Sequence, residues 1–77
     1  MTPAEAGIAL VRAFGKGARF EVIDREHVSI CDGHGSDKRI TVRLYDGQAH
    51  AIAACLTACH AEGLAAIEGE GVAAKDV

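Results

Sequence analysis

Apolar residues recur along this chain at two spacings, and the spacing changes where the elements change. In "TPAEAGIALVRAFGKG", Ile8, Val11 and Phe14 fall near one face of a helix, with Ala4 and Gly7 beside them. Thr2 stands where an N-cap would, Pro3 at the first helical position and Glu5 at the third, the arrangement of a capping box. Gly15 or Gly17 supplies the left-handed residue that ends a helix. The pattern predicts a helix from Pro3 to Phe14.

The spacing then drops to two. Phe20 and Val22 alternate with Glu21 and Ile23, Val28 and Ile30 with His27, Ser29 and Cys31, and Ile40, Val42 and Leu44 with Thr41, Arg43 and Tyr45. These runs predict strands over 18–23, 27–31 and 39–45, joined by the polar "DREH" and by "DGHGSD". One long bent strand over 18–31 is the alternative to the first two. A helical spacing returns in "DGQAHAIAACLTACHAEG". Asp46 offers an N-cap, Gly63 a terminating glycine, and Ile52, Cys55, Leu56 and Cys59 a core-facing stripe. Beyond Gly63, residues 64–70 offer a short fourth strand that would place Leu64 and Ile67, and 71–77 read as a flexible tail. The order α–β–β–β–α makes a single α+β domain over 1–70. It has two layers, with an antiparallel sheet carrying both helices on one face.

Composition narrows the core. Hydrophobic residues make up 49% of the 77, but fifteen of them are alanine, and the only aromatics are Phe14, Phe20 and Tyr45. A chain this short buries a modest share of its surface, so a thin aliphatic core gains from a metal, a disulfide or a second copy; a homodimer would complete it. The net charge of −3 weighs against a general affinity for phosphate backbones. The N-terminus lacks the basic and apolar regions of a secretory signal, and no apolar run approaches the ~20 residues of a membrane span. The reading is cytoplasmic, with no membrane partner and with the three cysteines as thiols or ligands and not disulfides.

Cysteine and histidine carry the only chemistry that suggests a site. Cys31, His34, Cys55 and Cys59 have the residue types of a tetrahedral zinc site. Parity opposes it: Cys31 shares a face with Ser29, away from the helix that carries Cys55 and Cys59. Reach opposes it too. Residues 38–45 climb ~26 Å at ~3.3 Å per residue, whereas Cys59 lies ~16 Å back along the second helix. Cys55 and Cys59 are therefore expected in the core, where free cysteine is common, and His50 and His60 on the surface. Haem attachment needs two residues between its cysteines, and "CLTACH" has three. Cys31, Asp32 and His34 have the types of a nucleophile and its base, but an open sheet supplies neither oxyanion donors nor a cleft. "DGHGSD" reads as a turn, with Gly33 and Gly35 at positive φ and Asp32, Ser36 and Asp37 bonding their own backbone. "FGKGARF" has no helix after it to make a phosphate loop. No catalytic residue, metal or cofactor is expected.

What remains is the open face of the sheet. Arg39, Thr41, Arg43 and Tyr45 line one strand, with His27, Ser29 and Cys31 as neighbours, and Arg12, Lys16 and Arg19 nearby. Arginine and tyrosine dominate interface hot spots, so this face is the expected contact surface for another protein. The element order from Pro3 to Gly63 is similar to that of the double-stranded-RNA-binding domain. That resemblance implies a shared fold and nucleic-acid binding; the family's contact residues do not carry over, and a nucleic-acid-binding module would here use Lys38, Arg39, Arg43 and Tyr45. The family's lysine cluster at the start of its second helix is replaced by "DGQAHAIA", and its Gly-Pro-x-His loop by "DREH". In size and character the chain resembles small phage and mobile-element proteins such as anti-CRISPR inhibitors. The leading expectation is a non-enzymatic, protein-binding regulator or inhibitor. A nucleic-acid-binding module and a zinc-stabilised domain are the alternatives.

Overall fold

The computed structural model describes residues 2–33 and 39–70 as an α+β fold. The order is α1 (Pro3–Phe14), β1 (Arg19–Asp24), β2 (His27–Cys31), β3 (Arg39–Arg43) and α2 (Ala49–Glu70). The strands form an antiparallel meander in the order β1-β2-β3, which excludes the single bent strand. Helix α1 follows its sequence signals. The Thr2 hydroxyl accepts from the Glu5 N–H at 3.2 Å, and Gly15, with φ of 91°, donates its own N–H to the Val11 carbonyl.

Each strand lays its apolar residues on one face. Phe20, Ile30 and Ile40 stand in one cross-strand row, and Val22, Val28 and Val42 in the next. Helix α2 covers this face over β1 and β2, and α1 lies chiefly against α2. One part of the core joins Val28, Ala49 and Ala53 with Val22 and Leu44 packed against them. A second part is aromatic: Phe20 meets Phe14 edge-on at 6.4 Å and His60 at 5.6 Å between ring centroids.

Helix α2 departs from its sequence reading in three ways. It does not stop at Gly63 but runs as 22 residues to Glu70, so 64–70 is helix and not a fourth strand. Ile67 is buried from within the helix. It also begins at Ala49, whose N–H goes to the Arg25 carbonyl, so Asp46 is not its N-cap. Finally, its buried face is rotated. Ala49, Ala53, His60, Gly63 and Ile67 are buried, while Cys55 and Ile52 are exposed and Leu56 and Cys59 half-buried. Small residues win the sheet-facing positions because they let the helix lie close to the strands. The stretch Ala49–Gly69 has the length and composition of a membrane-crossing helix, but its narrow buried stripe is occupied by the sheet and by α1.

The two helices cross where both carry glycine. A Cβ built on Gly7 would stand 1.8 Å from the Cys59 carbonyl oxygen, and one on Gly63 would stand 2.1 Å from the Gly7 carbonyl carbon. Gly63 is therefore a contact residue and not a helix terminator. Gly33 plays a similar part: it is not among the positive-φ residues, and its Cβ would meet the Ala18 nitrogen at 2.3 Å. Gly35, with the rest of 34–38, and the tail 71–77 lie outside the described residues.

These contacts give a paired prediction. Gly7→Ala must push the helices apart and is expected to lower stability by about 1–3 kcal/mol, the usual cost of overpacking. Gly69→Ala meets nothing within 4 Å and is expected to be neutral or stabilising by up to about 1 kcal/mol, from helix propensity alone. Urea denaturation of both variants checks the pair; equal midpoints would remove the crossing from the account.

Candidate binding face

The other face of the sheet carries the polar residues in three cross-strand rows. Arg19, Cys31 and Arg39 form the first, Glu21, Ser29 and Thr41 the second, and Asp24, His27 and Arg43 the third. Strand pairing places them: residues opposite one another on adjacent strands share a face. Arg39, Thr41 and Arg43 are exposed, as expected. Tyr45 follows at 86% exposure, with the Arg43 guanidinium 5.5 Å from its ring centroid.

Two expected members of this face are covered. Ser29 is 1% exposed, and its hydroxyl has no partner. Cys31 is also buried, and its thiol donates to a Glu21 carboxylate oxygen at 3.3 Å. Both lie on the central strand, with Glu21 and Thr41 beside Ser29 and Arg19 and Arg39 beside Cys31. Parity had the direction of these two right and their accessibility wrong. His27, half-buried, is tied down as well: its Nδ1 lies 2.7 Å from Asp24 Oδ1.

Charge on the face is mixed. Arg43 bonds to Glu26 through Nε and Nη2, both at 3.4 Å. That pair is solvent-exposed, and exposed pairs contribute little, so it can open toward another carboxylate. Arg19 and Arg39 flank Cys31, about 10 Å apart across two strand spacings, and among the described residues neither has a salt-bridge partner. Asp24 also accepts the Glu26 N–H at 2.8 Å, closing the β1–β2 turn where Ile23 makes a bulge between Val22 and Asp24. The bond from His27, and then that from the Glu26 backbone, hold the Asp24 carboxyl below its usual range.

The described members of the cysteine–histidine constellation do not assemble. Cys31 points away from the helices, Cys55 is exposed and Cys59 half-buried on α2, and His34 lies outside the described residues. Among the described residues no three metal-ligating side chains gather. Exposed His50 is where the sequence puts it. His60 is not: it is 6% exposed, its Nε2 is 2.9 Å from the Gly15 carbonyl, and its ring packs on Phe20. Its nitrogen shares the Gly15 carbonyl with the Ala18 N–H, which bonds there at 3.3 Å, while its ring meets Phe20. It also borders an open depression of about 250 Å³ with Ala18, Arg19, Phe20 and Thr57. A stripe of positions 49, 53, 56, 60, 63 and 67 in the sequence would have found it. No family model, no curated protein and no solved structure matches this chain.

The Asp24 clamp has a definite pH signature. A carboxyl depressed in the folded state contributes stability above its unfolded pKa, near 3.8, and loses it as pH falls through and below that value. Wild-type protein is therefore expected to lose more stability than Asp24→Asn between pH 5 and about pH 2.5, a window that spans the ordinary carboxylate range. Thermal melts across that range check it; parallel profiles would show that the clamp contributes nothing.

Proposed function

We propose that this chain is a non-enzymatic protein-binding module that regulates or inhibits its partner by covering a site on it. It would act in the cytoplasm and use the polar face of the sheet. The observation that carries this reading is the arrangement of Arg19, Arg39 and Arg43: three exposed guanidinium groups on one face of two edge strands. Such a triangle suits an acidic protein surface, because arginine binds carboxylates through paired hydrogen bonds. Tyr45 and Thr41 extend it with an aromatic ring and a hydroxyl. Small phage and mobile-element inhibitors, anti-CRISPR proteins among them, are of this size and work by occlusion.

The same arginines suggest nucleic acid as the second reading, in keeping with the α–β–β–β–α order. Glu21, Asp24 and Glu26 stand among them, however, and would repel a phosphate backbone while leaving room for a protein surface of mixed charge. The test is capture of partners from the native host with wild type and Arg43→Glu, followed by titration of the captured protein. A hot-spot arginine is worth about 2 kcal/mol or more, so Arg43→Glu is expected to weaken binding by at least ~30-fold. Equal binding by the two would remove this face from consideration. RNA and DNA titrated at low salt settle the alternative: tight binding that falls steeply with added salt would transfer the function to nucleic acid.

A further inference from the structure

The helix-side face of β3 is uncovered. Ile40 is 51% exposed and Val42 39%, although their row-mates Ile30 and Val28 are buried. The uncovered strip continues onto α2. Thr57 of α2 borders the β1 side with Phe20, and at about 100° per residue Ile52 lies on the opposite flank, with Cys59 and Gly63. Helix α1 fills that flank at Cys59 and Gly63 but not at Ile52, which remains 39% exposed. At the far end, Phe14 and Ala13 line a groove of about 170 Å³ with Ile30, Asp32 and Ile40.

Among the described residues nothing pairs with the backbone edge beside this strip. The Leu44 N–H bonds to the Glu26 carbonyl, so the backbone groups of residues 40, 42 and 44 turn toward β2. By alternation those of Arg39, Thr41 and Arg43 turn outward. The two edges of the sheet differ. β1 is broken by its bulge at Ile23, a common device against edge pairing. β3 pairs in unbroken register over all five residues and has neither bulge nor proline.

We propose that β3 pairs antiparallel with β3 of a second copy, about a two-fold axis at Val42, to make a six-stranded sheet. Self-pairing requires a sequence that complements itself, and two registers are available to this strand. An axis at Thr41 would set Arg39 opposite Arg43 of the other copy twice over, a like-charge arrangement that destabilises a sheet. An axis at Val42 sets Val42 against Val42, Ile40 against Leu44, Thr41 against Arg43, and Arg39 beside the exposed ring of Tyr45. The outward groups of Thr41 and Arg43 then meet as a hydrogen-bonded pair, and the apolar row runs unbroken between the copies.

Sedimentation and native mass spectrometry test this. Wild type is expected at twice its 8.0 kDa chain mass, and Val42→Lys, with unchanged far-UV dichroism, at the chain mass. A monomeric wild type at the highest soluble concentration overturns the proposal, as does a Val42→Lys protein that stays dimeric. Val42→Cys decides the register even if the lysine variant does not fold. Cross-strand neighbours at a non-hydrogen-bonded position lie about 4.5 Å apart between Cα atoms, within disulfide reach. Mild oxidation is expected to give a 42–42 linkage by peptide mapping. Linkage solely through the native thiols, such as exposed Cys55, would mean that the copies meet elsewhere or not at all.

Discussion

Helix α1 joins the rest of the molecule at a crossing where neither helix has room for a Cβ. Gly7 sits on the backbone of Cys59 and Gly63, and this contact sets where everything else stands. It fixes α1 along the second half of α2, beside residues 59 and 63. There Val11 becomes fully buried, and the end of α1 is brought to the sheet at Phe14. The Gly15 carbonyl then meets His60, and the Gly33 N–H meets the Phe14 carbonyl. Because α1 is committed to that half, nothing of it remains to lie over β3 beside Ile52. Helix α2 lies over β1 and β2, and Ile40 and Val42 of β3 stay exposed. The bare flank over β3 follows from the glycine crossing.

The chain declares its local elements more plainly than their assembly. Thr2, Pro3 and Glu5 describe the start of α1 without reference to anything distant. Alternation in Val28–Ile30 and Ile40–Val42 describes faces because strand period is a local property. Helix α2 is misread from the same residues because hydrophobicity and burial part company there. Ile52 and Cys55 look like the core stripe, but the helix turns its alanines and Gly63 inward to approach the sheet and α1. That choice is visible only when Gly7, 56 residues away in sequence, is known to be the other side of the contact. His60 is the same kind of case: its burial depends on a carbonyl at Gly15 and a ring at Phe20, neither of which its neighbours announce.

On the open face the direction of each side chain is legible and its accessibility is not. Parity places Ser29 and Cys31 with the arginines, where the strands do put them. Both are buried on the central strand, and the surface belongs to β1 and β3. This shifts the weight of the face toward Arg19, which stands in the same row as Arg39 and Cys31.

Strand β3 thus holds two surfaces of opposite character, and their relation matters for any use of the arginines. Arg39 and Arg43 project from the face that the helices leave alone, whereas Ile40 and Val42 project from the face the helices fail to reach. Charges on a strand guard its edge only against registers that bring them together. With the axis at Thr41 the arginines of the two copies stand directly opposite one another, and with the axis at Val42 they are only diagonal neighbours. A sheet extended across that axis would carry two arginine triangles on one continuous surface, with Arg43 of each copy near the centre. A partner with two acidic segments would then be held by both copies at once, and its second contact would form at the high effective concentration that linkage confers.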